Sequence, residues 1–453
     1  MCEKTFVMNA KKILNWNEVS DNKERAMVLD IIETGLEAAN PYSSVYNMLS
    51  TLSKEFDKFR KIVVIGFGKA GYRMALACEA ILGERIFDGA IIVPKGSVKL
   101  SELKKIKVLE GTHPVPTEAN VNSARTLLEI SRGLTSDDLV ICLISGGGSA
   151  LFTYPAEGIS LEDKQEMTRL LLAAGSTIQE INCIRKHISG VKGGQLARHV
   201  YPANLVSLIL SDVVGDDLSS IASGPTSPDP YTFKDVYELF EKYHLVERVP
   251  KNIMKRVLDG LNGKIQDTPK PGDKIFERVK NIIVANNIGA LKAMEEKAKS
   301  YGLNTMILTS YLEGEAREVG RVIASIAKQL VNQKGPILPP CAIFFGGETT
   351  VTLKGNGRGG RNQEMALSVA IAIKGLKNTI FASIGSDGID GNSDAAGAIV
   401  DGQTIEKALQ KNLSPTKYLE NNDSNTFLKQ LNSLIYTGPT GTNVNDFSLL
   451  IVY

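Results

Sequence analysis

Strands alternating with helices along most of the 453-residue chain predict an α/β protein of two lobes with mostly parallel sheets. Three observations carry this. Short apolar runs (KIVVIG, DDLVICLIS, NLVSLILSDVV) are each followed by polar or glycine-rich turns and a return of helical periodicity. The alternation restarts after DTPKPGD, residues 267–273, with NIIVANN, NTMILTS and AIFFGGE. A chain this long also exceeds one ordinary domain. The expected organisation is a Rossmann-like N-terminal domain over residues 1–272 and a smaller C-terminal α/β domain over 273–453.

The elements follow in order. Residues from about 22 to 58 read as helical, with Leu29, Ile31, Ile32 and Leu36 on one face. KIVVIG reads as a buried strand, followed by a glycine turn, a helix over 72–82 and the strand GAIIVP. DDLVICLIS, a helix over about 161–174 and NLVSLILSDVV continue the rhythm, and 231–263 reads as polar and helical. The prolines, glycine and charges of DTPKPGD suggest a linker. Beyond it the pattern ends with NTIFASIGSDG, LIYTGPTG and FSLLIVY.

Composition narrows the function. Hydrophobic residues make up 43% and charged residues 23%, a globular balance. With 52 basic against 50 acidic residues the net charge is only +2. Neither nucleic acid nor an anionic membrane is therefore an expected partner, and assembly into a homo-oligomer is compatible with this composition. Anion binding must be local. The opening MCEKTFVMNAKKILNW has no apolar signal core, and the longest apolar runs are strand-length. The scattered Cys2, Cys78, Cys142, Cys183 and Cys341 lack C-x-x-C spacing, which argues against zinc or a disulfide framework. A reducing cytoplasm is the expected compartment.

Local anion sites are what the glycine loops offer. In GGETTVTLKGNGRGGRNQEMALSVAI, Arg358 and Arg361 sit among glycines where a helix begins, a setting suited to carboxylate or phosphate. Arg358 alone reads more readily as a solvated loop cation. KIVVIGFGKAG has Gly66, Gly68 and Gly71 in dinucleotide-binding spacing, with Lys69 inside the turn. The following strand ends in Pro94 and Lys95 where a ribose-binding carboxylate would be needed, although an NADP site could use a basic residue. SGGGSA (Ser145, Gly146, Gly147, Gly148, Ser149, Ala150) can present consecutive N–H groups as an anion nest, and it lacks Walker spacing. Lys192, ahead of Gly193 and Gly194, is either a phosphate contact or solvated surface. His187 reads as structural.

Carboxylates cluster after two strands. SDVVGDD places Asp212, Asp216 and Asp217, and SIGSDGIDGNSDAAGA places Asp387, Asp390 and Asp394, where ligands gather in α/β sheets. Such oxygen ligands suit Mg²⁺, while Asp390 and Asp394 read equally as turn builders. Asp212 and Asp387, nearest their strands, are the stronger candidates. G-x-S-x-G is absent, and no Ser or Cys nucleophile stands beside a base. Cationic loops with strand-end carboxylates are the parts phosphoryl transfer needs.

The motifs GFGKAG, GTHPVPTEAN, LISGGGSAL, NCIRKHISGVKGGQLA, SDVVGDDLSSIASGPTSPDP, GGETTV, GRGGRNQEMAL, SDGIDGNSDAAGA and GPTGTNVND resemble, in order, glycerate 2-kinases whose C-terminal half is the MOFRL domain. The resemblance implies ATP- and Mg²⁺-dependent phosphorylation of D-glycerate at its 2-hydroxyl, with the active site in the cleft between the lobes. It places the family's active-site lysine on Lys69, its arginine on Arg361 and its aspartates on Asp212 and Asp387. On this basis nucleotide phosphates rest on Ser145–Ser149 with Lys192, and Lys69 meets the transferring phosphoryl group. Arg361 anchors either the glycerate carboxylate or phosphoryl oxygens. Asp212 acts as base and Asp387 as metal ligand, or the reverse, with Glu348 and Asn287 as weaker candidates. An NAD(P)-dependent hydroxypyruvate reductase is the alternative, and a non-catalytic sugar-phosphate or nucleotide sensor a more distant one.

Overall fold

The computed structural model describes residues 11–333 and 335–453. The opening MCEKTFVMNA, with Cys2, lies outside them. The chain forms two compact units. One is Pro41–Val284, and the other joins Ala285–Tyr453 to the N-terminal segment ending at Asn40.

The first unit is built on β1 (Ile62–Phe67), β2 (Ile86–Pro94), β3 (Lys107–Gly111), β4 (Leu139–Ile144), β5 (Asn204–Leu210) and β6 (Val279–Ala285). Their order is β3-β2-β1-β4-β5-β6, that of a Rossmann sheet, and the β3-β2-β1-β4-β5 pairings are all parallel. β1 and β4 are buried at every position, as a sheet covered on both faces requires. The strand order reverses between β1 and β4, so the loops after these two strands, carrying Lys69 and SGGGSA, flank the point where such sheets bind ligands.

The second unit departs from expectation. Its strands are β7 (Asn304–Leu312), β8 (Cys341–Gly347), β9 (Thr379–Gly385), β10 (Gly397–Asp401), β11 (Leu434–Ile435) and β12 (Asp446–Val452), in the order β11-β10-β9-β12-β8-β7. Only β7 and β8 pair in parallel, so this sheet is mixed rather than mostly parallel. The last strand slots between β8 and β9 running against both. Its first residue, Asp446, therefore lies opposite Gly347 and Gly385, where β8 and β9 end.

The partition also differs from a single cut near residue 272. The predicted helix over 22–58 breaks at Asn40 into Lys23–Ala38 and Pro41–Leu52, followed by a 3₁₀ segment. Helix Lys23–Ala38 packs on helix Asn287–Ser300. Its Arg25 grips Asp401 at 2.7 and 3.1 Å, and its Asp30 pairs with Lys297 at 2.8 Å. DTPKPGD is no free linker. Asp267 pairs with His187 at 2.9 Å, Thr268 donates to buried Asp229 at 3.0 Å, and Lys270 bonds Asp267 and Thr268. Turn chemistry thus signalled a loop, while its side chains anchor it inside the first unit.

Ion pairs that are only partly buried make that unit acid-sensitive. Arg60 holds Asp138 down to about 2, and Lys242 does the same for Glu180. Burial would raise Asp267, yet His187 and Lys270 hold it near 2. Carboxyls depressed by folding add stability above their unfolded values, near 4, and lose it as pH falls toward 2. Thermal melts followed by circular dichroism should be flat from pH 5 to 7 as far as these groups are concerned, then drop steeply between pH 4 and 2.

Candidate active site

In the first unit the turns after β1 and β4 are laced together. Lys69 N–H donates to the Gly146 carbonyl at 2.8 Å and Ala70 N–H to Ser145 Oγ at 3.1 Å. The fit leaves no room for side chains. At Gly68, with φ of +129°, a Cβ would stand 2.2 Å from Ser145 Oγ, and at Gly146 it would stand 2.4 Å from an Asp212 oxygen.

This lacing decides which loop can hold an anion. The N–H groups of Gly68, Lys69, Ala70 and Gly71 all have protein acceptors. The dinucleotide-like turn is therefore spent on structure. In SGGGSA, Ser145 and Gly148 likewise give their N–H groups to backbone carbonyls and hold the loop's shape. Among the described residues no acceptor bonds the N–H groups of Gly146, Gly147 and Ser149. These three are the open nest.

Side chains gather around it. The stem of Lys69 and the ring of His113 lie against Gly147, and Asp212, just beyond β5, lies against Gly146. The Lys69 ammonium is exposed and has no carboxylate partner among the described residues. Burial, then Lys69, lowers His113 below the usual imidazole range. Ser149 Oγ lies 2.9 Å from Ser223 Oγ, in a segment where Ala222 and Ser223 both adopt positive φ (51° and 64°). Such backbone costs roughly 1–3 kcal/mol per residue and persists where surroundings enforce it. Gly193 and Gly194 N–H groups bond the Ser223 and Gly224 carbonyls, which fixes Lys192 beneath this segment. Lys192 is buried, and among the described residues its Nζ meets only the Phe152 and Ala222 carbonyls, at 3.4 and 3.5 Å. It is not solvated surface. Asp217 accepts from Ser219 and Ser220 and shapes its own turn.

The second unit holds a distinct constellation. Arg361 opens helix Arg361–Ala372 and grips Asp446 through Nε at 2.5 Å and Nη2 at 2.9 Å, while Nη1 meets Glu348 at 2.8 Å. Burial pushes the Asp446 carboxyl up to about 7, with Arg361 pulling the other way. Asp387 stands just past β9, beside the same Gly385 that Asp446 faces. Asn445 donates to Glu348 at 3.0 Å. Asn287 donates to the Val444 and Asp446 carbonyls at 2.9 Å each, which positions the start of β12.

Other expectations resolve into structure. Asp390 is buried and accepts the Asn362 and Gln363 N–H groups as a helix cap, and Asp394 pairs with Arg358 at 2.9 Å. His187, locked between the Cys183 carbonyl and Asp267, is structural as expected. His113 and Asp446 were not singled out in the sequence, although GTHPVP and NVND contain them.

Among the described residues no three His, Cys, Asp or Glu side chains are grouped to hold a metal, and no helix is long and apolar enough to cross a membrane.

Comparison with known proteins places these features in company. Residues 27–258 match a profile described as a domain of unknown function (DUF4147), and residues 341–446 match the MOFRL family. The glycerate 2-kinase of Pyrococcus horikoshii is 43% identical over 436 residues, covering 94% of this chain and 97% of that protein. The crystal structure of a glycerate kinase from Thermotoga maritima superposes with a TM-score of 0.88 at 41% identity, covering 94% of this chain and 99% of that one. A protein of Agrobacterium vitis provisionally named a hydroxypyruvate reductase is 39% identical over 441 residues, covering 97% of this chain and 96% of that protein.

Proposed function

We propose, since this chain belongs to the glycerate kinase family, that it transfers the γ-phosphoryl group of ATP to the 2-hydroxyl of D-glycerate, giving 2-phosphoglycerate and ADP. One observation carries the reading. At the reversal of the parallel sheet, an exposed lysine and a strand-end aspartate flank a loop with three N–H groups that no acceptor bonds among the described residues.

The roles follow from chemistry. The N–H groups of Gly146, Gly147 and Ser149 bind donor phosphates together with Lys192, on the scaffold that Ser145 and Gly148 provide. Lys69 offsets the charge on the moving phosphoryl group. The glycerate oxygen attacks γ-phosphorus, the bond to the bridging oxygen breaks, and ADP leaves with that electron pair. Asp212 orients the 2-hydroxyl or takes its proton. Arg361, already bridging Asp446 and Glu348, directs its remaining N–H donors at the glycerate carboxylate or at phosphoryl oxygens, and Glu348 accepts from a substrate hydroxyl.

Mg²⁺ belongs to the same reading. Asp387 and Asp212 are partly exposed strand-end carboxylates, the hard-oxygen donors that ion takes. Either would supply a ligand beside phosphate oxygens and water, and the bound ion would neutralise charge on the phosphates. A cytoplasmic setting, with its supply of ATP, is also part of this reading.

The reductase alternative, carried by the Agrobacterium name, asks the turn after β1 to hold a pyrophosphate. That turn's N–H groups are committed elsewhere, and β2 ends without a ribose-binding carboxylate. Purified protein should release ADP from ATP in step with added D-glycerate and leave NADH untouched with hydroxypyruvate. The opposite pattern would overturn the reading.

A further inference from the structure

Beside the open nest, wholly within Pro41–Val284, lies a cavity of about 420 Å³ that Gly147 and Ser149 help to line. Four Lys or Arg side chains line it as well: Arg169, which pairs with Glu166 at 2.7 Å, and three others, Lys164, Arg185 and Lys192. Lys164 and Lys192 are only 8% and 3% exposed. Among the described residues the Lys164 ammonium meets only the Ile188 carbonyl, at 3.4 Å, and Lys192 likewise finds only carbonyls. None of the three pairs with a carboxylate among the described residues.

This is not how the chain treats a buried lysine kept for structure. Lys186, one position past Arg185, is equally buried and pairs with Asp229 at 3.3 Å. Unpaired buried cations facing one another are costly twice over, through lost hydration and through repulsion. Burial, then the neighbouring cations, pushes Lys164 down to about 7 and Lys192 well below its usual range. Local rules broken together in this way mark a functional site. A ligand carrying several negative charges removes both costs. Val115, Pro116 and Leu172 form an apolar wall that offers a surface for a flat ring, beside the polar Thr153, Gln165 and Thr168. The volume lies within the roughly 300–1,000 Å³ typical of small-molecule sites.

We propose that this cavity seats the nucleoside triphosphate, with Lys164, Arg185 and Lys192 holding its polyphosphate and Val115, Pro116 and Leu172 covering its base. The assignment rests on the phosphotransferase reading and adds Lys164, Arg185 and the apolar wall to it. The continuity of the cavity with Gly147 and Ser149 directs the far end of the polyphosphate toward Lys69, whose stem packs on Gly147.

Direct titration of the full chain with ADP tests this. Lys164→Met and Arg185→Gln should each weaken ADP binding at least tenfold, and Leu172→Glu, at an exposed position, should weaken it as well. The KM for D-glycerate should stay within twofold of wild type. Lys164→Met should melt no lower than wild type, because it removes an uncompensated buried charge, so its loss of binding cannot be a loss of folding. ADP affinity within twofold of wild type in all three variants would overturn the assignment. Binding is read without turnover, so a chain that loses ADP in these variants yet makes no phosphoglycerate would sink the kinase reading and leave the cavity assigned.

Discussion

Lys69→Ala should lower kcat by about 10²–10³-fold while leaving the fold intact, the usual loss when one fixed donor is removed from a developing charge. The ammonium is exposed and makes no ion pair among the described residues, so its removal breaks nothing structural. The KM for D-glycerate should change far less than kcat, because the interaction strengthens as the phosphoryl group moves. A second readout is local. Lys69 helps to lower the His113 imidazole, so proton NMR should find His113 titrating at higher pH in the variant. Near-normal turnover would remove Lys69 from the mechanism, whatever the imidazole does.

Arg361→Ala should abolish measurable turnover and also destabilise the protein, by up to about 3–5 kcal/mol, the range for a buried charge stripped of its partner. Asp446 is only 4% exposed, and its carboxylate is left without the guanidinium that grips it. The sign of the pH dependence follows. Folding raises this carboxyl to about 7 in the wild type, and without Arg361 it must rise further. Below pH 7 the folded carboxyl is protonated with or without the arginine, and this part of the cost vanishes. Above pH 7 only the wild type holds the ionised form in a stable pair, so the gap in melting temperature should widen as pH rises. Adding Asp446→Asn to the variant should restore much of the stability and none of the activity. A gap that narrows with pH would show that Asp446 is not the source.

The sequence conveyed this molecule unevenly, for identifiable reasons. The parallel sheet of the first unit was legible because buried strands such as LVICLI read as continuous apolar runs between helices. Strand direction in the second unit was not. FSLLIVY marks a strand equally well whichever way it runs, and only its insertion between β8 and β9 makes the sheet mixed. Lys69 and Arg361 stood out because glycines and a helix start surround them locally. Asp446, 85 positions from Arg361, has no local signal. Lys164 lies in LEDKQEMTRLLLA, which the sequence marks only as a helix, and tertiary packing is what encloses it. DTPKPGD misled because turn residues do not disclose whether their side chains are anchored. Residues 11–40 misled because nothing in their periodicity says which unit they cover.

The central claim is a phosphoryl transfer to one particular hydroxyl, and ³¹P NMR of the product reads it directly. After incubation with ATP, Mg²⁺ and D-glycerate, the account predicts ADP and a new phosphomonoester whose phosphorus couples to a single carbon-bound proton, as phosphate on the 2-oxygen must. Coupling to two such protons would place the phosphate on the 3-oxygen, and no new phosphomonoester at all would contradict the account outright.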